Sequence, residues 1–131
     1  MNKLIINIDG ASRGNPGPAA IGVIMRDEQK NVVASISKAI GRTTNNQAEY
    51  RAVIAALEKA ISMAVDKVEI RSDSELLVKQ MTGKYRVKSP GLLPLYEKAK
   101  QLECTISTFR IRHVPREENA EADALANRAF K

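Results

Sequence analysis

Cysteine and histidine are almost missing: Cys104 and His113 are the only ones in 131 residues. A single cysteine excludes an internal disulfide and gives no metal-site spacing, so this thiol is expected to be buried and inert. Long apolar runs are missing too. No segment approaches the ~20 apolar residues that a bilayer crossing needs, so no membrane partner is expected. The N-terminal run LIINI is too short for a secretory core and is stopped by Asp9, which makes the protein's expected place cytoplasmic. Low-complexity stretches, long blocks of like charge and repeats of solenoid length are absent. With no linker, residues 1–131 read as a single domain.

What is there is an ordinary globular composition, 44% hydrophobic and 27% charged, with a net charge of +6. The positive balance favours a polyanionic partner, but only weakly. No element reads as an exposed interface helix, so a monomer is expected.

Residues 3–9 read as a central strand, apolar on both faces and ended by Asp9. Two more strands follow at 19–27 and 31–39, joined by the polar turn DEQKN. Residues 46–64 are rich in Ala, Leu and Glu, and Val53, Ala56, Leu57 and Ala60 share one helical stripe. KVEIRS at 67–72 alternates like a strand. Ser72 and Glu75 then have capping-box spacing for a helix over 73–81. A further helix is expected over 91–102. Residues 105–114 read as a strand with Ile106, Thr108, Arg110 and Arg112 on one face, and 117–130 as an Ala-rich helix. The order βββαβααβα implies an α/β fold. Its mixed five-stranded sheet has three antiparallel strands, then two parallel ones, with helices packed on it.

Four acids fall at or near element ends: Asp9, Glu49, Asp73 and Asp123. Each has an ordinary structural reading. Asp9 suits a turn, Glu49 suits the positive end of a helix, Asp73 suits a cap, and Asp123 suits a solvated helix face. Yet Glu49 shares the core-facing stripe, where an acid needs a partner or a cation. Loops after parallel strands gather at one sheet edge, where all four acids can meet. Clustered carboxylates with no sulfur ligand suit Mg²⁺ or Mn²⁺.

With those residues in view, the chain resembles type 1 ribonuclease H almost end to end. The resemblance is carried by DGASRGNPGPAAIG at 9–22, RTTNNQAEY at 42–50, RSDSELLVKQ at 71–80 and HVPREENAEADALAN at 113–127. It implies the ribonuclease H-like fold, with helices on both sheet faces. It also implies an endonuclease that hydrolyses the RNA strand of RNA–DNA hybrids, leaving 5′-phosphate and 3′-hydroxyl ends. By motif position Asp9, Glu49, Asp73 and Asp123 would hold two divalent ions, Mg²⁺ or Mn²⁺, with Asp9 shared between them. Such a pair suits in-line phosphodiester displacement without a protein nucleophile. The resemblance places Gly10, Ser12, Asn15, Asn45 and Asn46 on the RNA strand, with glycine letting the backbone approach it, and Arg42 and Thr44 on a phosphate of the DNA strand.

Two departures stand out. The segment GKYRVKSPG lacks the basic insertion of many relatives, leaving Lys84, Arg86 and Lys88. Relatives also often carry a catalytic histidine before the last Asp. His113 stands ten residues before Asp123, yet HVP matches a strand end, which favours Arg116 for that role over His113. The competing readings are a related nuclease acting on double-stranded RNA or branched DNA, and a hybrid-binding module without catalysis.

Overall fold

Leu4, Ile6 and Ile8 are fully buried while Ile5 and Asn7 are half-covered, because β1 (Lys3–Ser12) runs through the middle of the sheet. The structure, a computed structural model, describes residues 2–130. β2 (Gly17–Arg26) pairs antiparallel with β1, and β3 (Val32–Thr43) pairs antiparallel with β2. Asp27 closes the turn between them, its Oδ1 accepting from the N–H groups of Gln29 and Asn31. β4 (Lys67–Ser72) and β5 (Thr108–His113) add in parallel on the other side, giving the order β3-β2-β1-β4-β5. The expected mixed sheet is therefore present.

The first helix, α1 (Asn45–Ser62), starts at Thr44, whose hydroxyl accepts from the Gln47 N–H while the Gln47 side chain accepts from the Thr44 N–H. This reciprocal cap satisfies two of the free donors of a helix start. The buried stripe runs through Glu49, Val53, Ala56, Leu57 and Ala60 and covers β1 and β2. Helices α2 (Glu75–Met81) and α3 (Leu93–Glu103) lie on the same side, α2 against β4 and β5 and α3 against α1. A 3₁₀ turn, Arg116–Asn119, leads into α4 (Ala120–Arg128), which crosses β1, β2 and β3 on the opposite face. Gly22 makes that crossing close: a Cβ there would run into the Ala122 carbonyl and come within 2.6 Å of the Ala126 nitrogen.

Several expectations need correction. β1 does not stop at Asp9; Gly10, Ala11 and Ser12 stay paired with Ile21, Ala20 and Ala19. β3 runs on through Arg42 to Thr43, because β2 remains beside it. The cap of α2 is Ser74, which accepts from the Leu77 N–H, while Ser72 is buried and accepts from the Ser74 N–H. β5 begins at Thr108, with Ile106 buried in the turn before it. The expected helix over 117–130 splits into the 3₁₀ turn and α4. Cys104 is exposed rather than buried, since it follows α3 at the surface.

Candidate active site

The site lies where the central parallel pair ends. Asp9 sits on β1 opposite Gly22 of β2, and Asp73 directly follows the last residue of β4. α1 brings Glu49 against the same edge, where its Oε1 accepts a hydrogen bond from the Gly10 N–H. Glycine at position 10 is first a packing requirement. A Cβ there would collide with the backbone of Ala48 and Glu49. Asp123 arrives from the other face on α4, close enough for its charge to act on Asp9.

Asp9, Glu49 and Asp73 each offer a carboxylate oxygen within 4.8 Å of the others. Asp123 lies outside that set of three but lines the same cleft of about 330 Å³. Burial, then the charge of Asp73 and the proximity and charge of Asp123, push Asp9 up to about 7. Burial, then the Asp9 charge, pushes Glu49 well above the ordinary carboxylate range, although the Gly10 N–H and the Ser74 hydroxyl pull it back. Two like charges at this separation repel by ~3 kcal/mol at an effective dielectric near 20. A hydrogen bond to a charged group returns only ~1.5–3 kcal/mol. Repulsion wins, so the cluster needs protons or a cation. Its donors are all hard oxygens, which fit Mg²⁺ or Mn²⁺.

The model of a family described as reverse transcriptase-like matches residues 7–129. Ribonuclease HI of Halobacterium salinarum is 49% identical over 93% of this chain and 61% of its own length. The crystal structure of RNase H1 from that archaeon superposes with a TM-score of 0.96 at 46% identity, covering 98% of both chains. This chain belongs to the ribonuclease H family. A second structure, LC11-RNase H1 in complex with an RNA/DNA hybrid, matches with a TM-score of 0.90 at 46% identity, over 96% of this chain and 95% of that one. The chain spans 61% of the length of the halobacterial curated relative and 35% of three mycobacterial ones at 44% identity.

Two residues that pattern reading missed hold this ribonuclease H site together. Asn119 is buried; its amide donates to the Ile8 carbonyl at 2.8 Å, and its Oδ1 accepts from Asn7 at 3.0 Å. That pins the start of α4 to β1 beside Asp9, and Asp123 follows one turn later on the same side. Tyr50 donates to Gln80 Oε1 at 2.7 Å and meets the Tyr96 ring edge-on at 6.4 Å, which fixes the rotation of α1 that turns Glu49 inward. Neither stands out locally: Asn119 lies in the charged stretch REENAE and Tyr50 in AEYRAV.

Among the residues proposed from sequence, Gly10, Asn45 and Arg116 line the cleft with the four acids. His113 does not: it ends β5 opposite Ser72 and lines a separate hollow with Glu75, Lys79 and Lys84. Asn15 Oδ1 accepts from the Asn45 N–H at 3.0 Å, joining the loop to the start of α1. Asn45 and Asn46 thus sit on the first turn of that helix, which begins one residue before the expected 46–64. Asn46 and Arg42 are exposed, Thr44 serves as the cap, and the Ser12 hydroxyl turns to the Thr43 carbonyl at 2.9 Å. Lys84, Arg86 and Lys88 are exposed on the short segment between α2 and α3.

Proposed function

We propose that this chain hydrolyses the RNA strand of RNA–DNA hybrids, with Asp9, Glu49, Asp73 and Asp123 holding two divalent ions. The convergence of Asp9, Glu49 and Asp73 within 4.8 Å carries the reading, because the cluster is stable as charged groups only around a cation. When bound, the ions supply positive charge that activates a water and stabilises the leaving 3′ oxygen of an in-line displacement. The chain supplies the rest. Asp9, whose carboxyl feels the charges of both Asp73 and Asp123, would be the group that the ions share. The Ser74 hydroxyl caps α2, accepting from the Leu77 N–H, and is given no nucleophilic role. Water attack with the 3′ oxygen leaving would give the 5′-phosphate and 3′-hydroxyl ends that the family resemblance implies.

Arg116 is the fixed cation lining the cleft. It stays protonated, so it holds a phosphate oxygen rather than moving a proton. The hybrid bound by LC11-RNase H1 supports the same substrate here. Asn15 and Asn45, linked to each other at the cleft mouth, are the groups to meet a 2′-hydroxyl, which tells RNA from DNA. Exposed Arg42 and the Thr44 turn would take a phosphate of the DNA strand.

Cleavage of hybrid, duplex RNA and duplex DNA, each with Mg²⁺ and with Mn²⁺, tests this. Hybrid should be cut and duplex DNA left intact. Faster cutting of duplex RNA would transfer the chain to the related-nuclease reading. Hybrid binding with no cleavage under either metal would make it a binding module.

A further inference from the structure

Half of one sheet face is left open by α4, which crosses β1, β2 and β3. Strand register sets its side chains in three rows: Lys3, Lys67 and Thr108; Ile5, Glu69 and Arg110; Asn7, Arg71 and Arg112. Lys67, Thr108, Arg110 and Arg112 are exposed. The face thus carries five cations and a single acid. Glu69 lies nearly buried beneath them, 2.7 Å from Arg71 Nε and 3.8 Å from Arg112 Nη1. Burial pushes its carboxyl up, but Arg71, Arg112 and Lys3 more than offset this and hold it below the usual range. Four positive charges remain uncompensated on the face. The row of Asn7, Arg71 and Arg112 lies one residue behind Ser72 and His113, and Asp73 follows Ser72, so this surface reaches the rim of the cleft.

We propose that the open face of β4 and β5 binds the phosphate backbone of the hybrid beyond the point of cleavage. The inference rests on the reading of the cleft as a hybrid-cleaving site. Charge is the first support. Chemistry is the second: the rows hold no aromatic ring, so they give no stacking platform and meet phosphates rather than bases. Length is the third. From Asp73 back to Lys67 the strand covers ~20 Å at ~3.3 Å per residue. That distance corresponds to about six nucleotides at ~3.4 Å along a strand. Arg110, level with Glu69, lies about four nucleotides from the cut on the same scale.

The test is the double variant Lys67→Ala/Arg110→Ala. Both residues are exposed, and among the described residues neither takes part in an ion pair. Affinity for hybrids of about one and about three helical turns is measured in metal-free buffer across a range of salt, beside polyglutamate. Cleavage of both hybrids by wild type is followed separately. On the long hybrid, the slope of log K against log salt should shrink by about 1.8 in the variant, about 0.9 for each lost phosphate contact. On the one-turn hybrid, with about five pairs on each side of the cut, only Arg110 is within reach, so the slope should shrink by at most about 0.9. KM for the long hybrid should rise with kcat unchanged. An unchanged slope on the long hybrid, or an equal change on both lengths, overturns the proposal. A loss of polyglutamate binding that matches or exceeds the loss for hybrid overturns it in favour of an acidic protein partner. If wild type cuts neither hybrid with Mg²⁺ or Mn²⁺ while the length-dependent slope persists, the reading of the cleft falls and the phosphate-binding face stands.

Discussion

Replacing Asp9 by asparagine keeps the side chain's size and takes one charge out of the acid cluster. In metal-free protein this should make the fold more stable, although it abolishes cleavage. Burial, Asp73 and Asp123 raise Asp9 from its ordinary 3.8 to about 7. Between those values the folded protein keeps a proton that the unfolded chain has released. The native state then binds more protons, so this group's contribution is fully present below about pH 4 and is lost as pH rises through about 7. At ~1.4 kcal/mol per pH unit the loss is at most ~4 kcal/mol. A polar cleft open to water lowers the figure to ~2 kcal/mol. For 131 residues, an unfolding entropy of ~2.1 cal/mol/K per residue converts 1 kcal/mol into ~4 °C. Thermal unfolding in EDTA at pH 8 should therefore place Asp9→Asn ~7–15 °C above wild type. The gap should close as pH falls towards 4. Mg²⁺ should raise the wild-type Tm and do much less for the variant. Equal or lower Tm for Asp9→Asn at pH 8, or a gap independent of pH, would refute the electrostatic reading. Near-normal turnover at saturating Mg²⁺ would remove Asp9 from the mechanism.

The other expectations concern how the site is held and what acts in it. Gly22→Ala puts a methyl group into the Ala122 carbonyl, so α4 must lift from β2. A loss of ~1–3 kcal/mol in urea unfolding is expected, and a change under 0.5 kcal/mol would contradict the close crossing. Asn119→Ala strips the 2.8 Å bond to the Ile8 carbonyl and should lower stability by ~1–3 kcal/mol. It should also lower kcat at matched folded fraction, because Asp123 loses its anchor; unchanged kcat would make Asn119 purely structural. Arg116→Ala should lower kcat more than it raises KM, whereas His113→Ala should leave kcat near wild type, since His113 lines a different hollow. A kcat loss confined to His113→Ala would reverse that assignment.

Strand and helix content was legible because burial is periodic. Leu4, Ile6 and Ile8 alternate with half-covered residues, and Val53, Ala56 and Ala60 recur at helical spacing. Register set by long-range pairing was not legible. The first strand reads as ending at Asp9 because Asp and Gly favour turns, but β2 supplies partners that keep Gly10 to Ser12 extended. The buried Glu49 could be suspected from its stripe, because an acid there demands a partner. Asn119 could not, since its partners Ile8 and Asn7 lie 111 and 112 residues away in the chain.

The same contrast explains why the four acids differ in how securely they are held. Asp9 lies within β1, paired with Gly22, and Asp73 lies one residue past β4, directly after the Ile8–Ser72 pair, so the sheet holds both closely. Glu49 depends on the rotation of α1, which the Thr44–Gln47 cap and the Tyr50–Gln80 bond set. Asp123 depends on α4, a nine-residue helix on the opposite face. Its position follows from the Gly22 crossing and the Asn119 bonds rather than from sheet register. Asp123 is also the acid outside the tight set of three. A short helix held by packing and side-chain bonds, those of Ser37 to the Leu125 carbonyl and Arg26 to Glu121 included, rather than by a backbone ladder can shift by a fraction of an ångström at lower cost than a central strand. Any adjustment of the cluster to a cation or a scissile phosphate therefore falls first on Asp123.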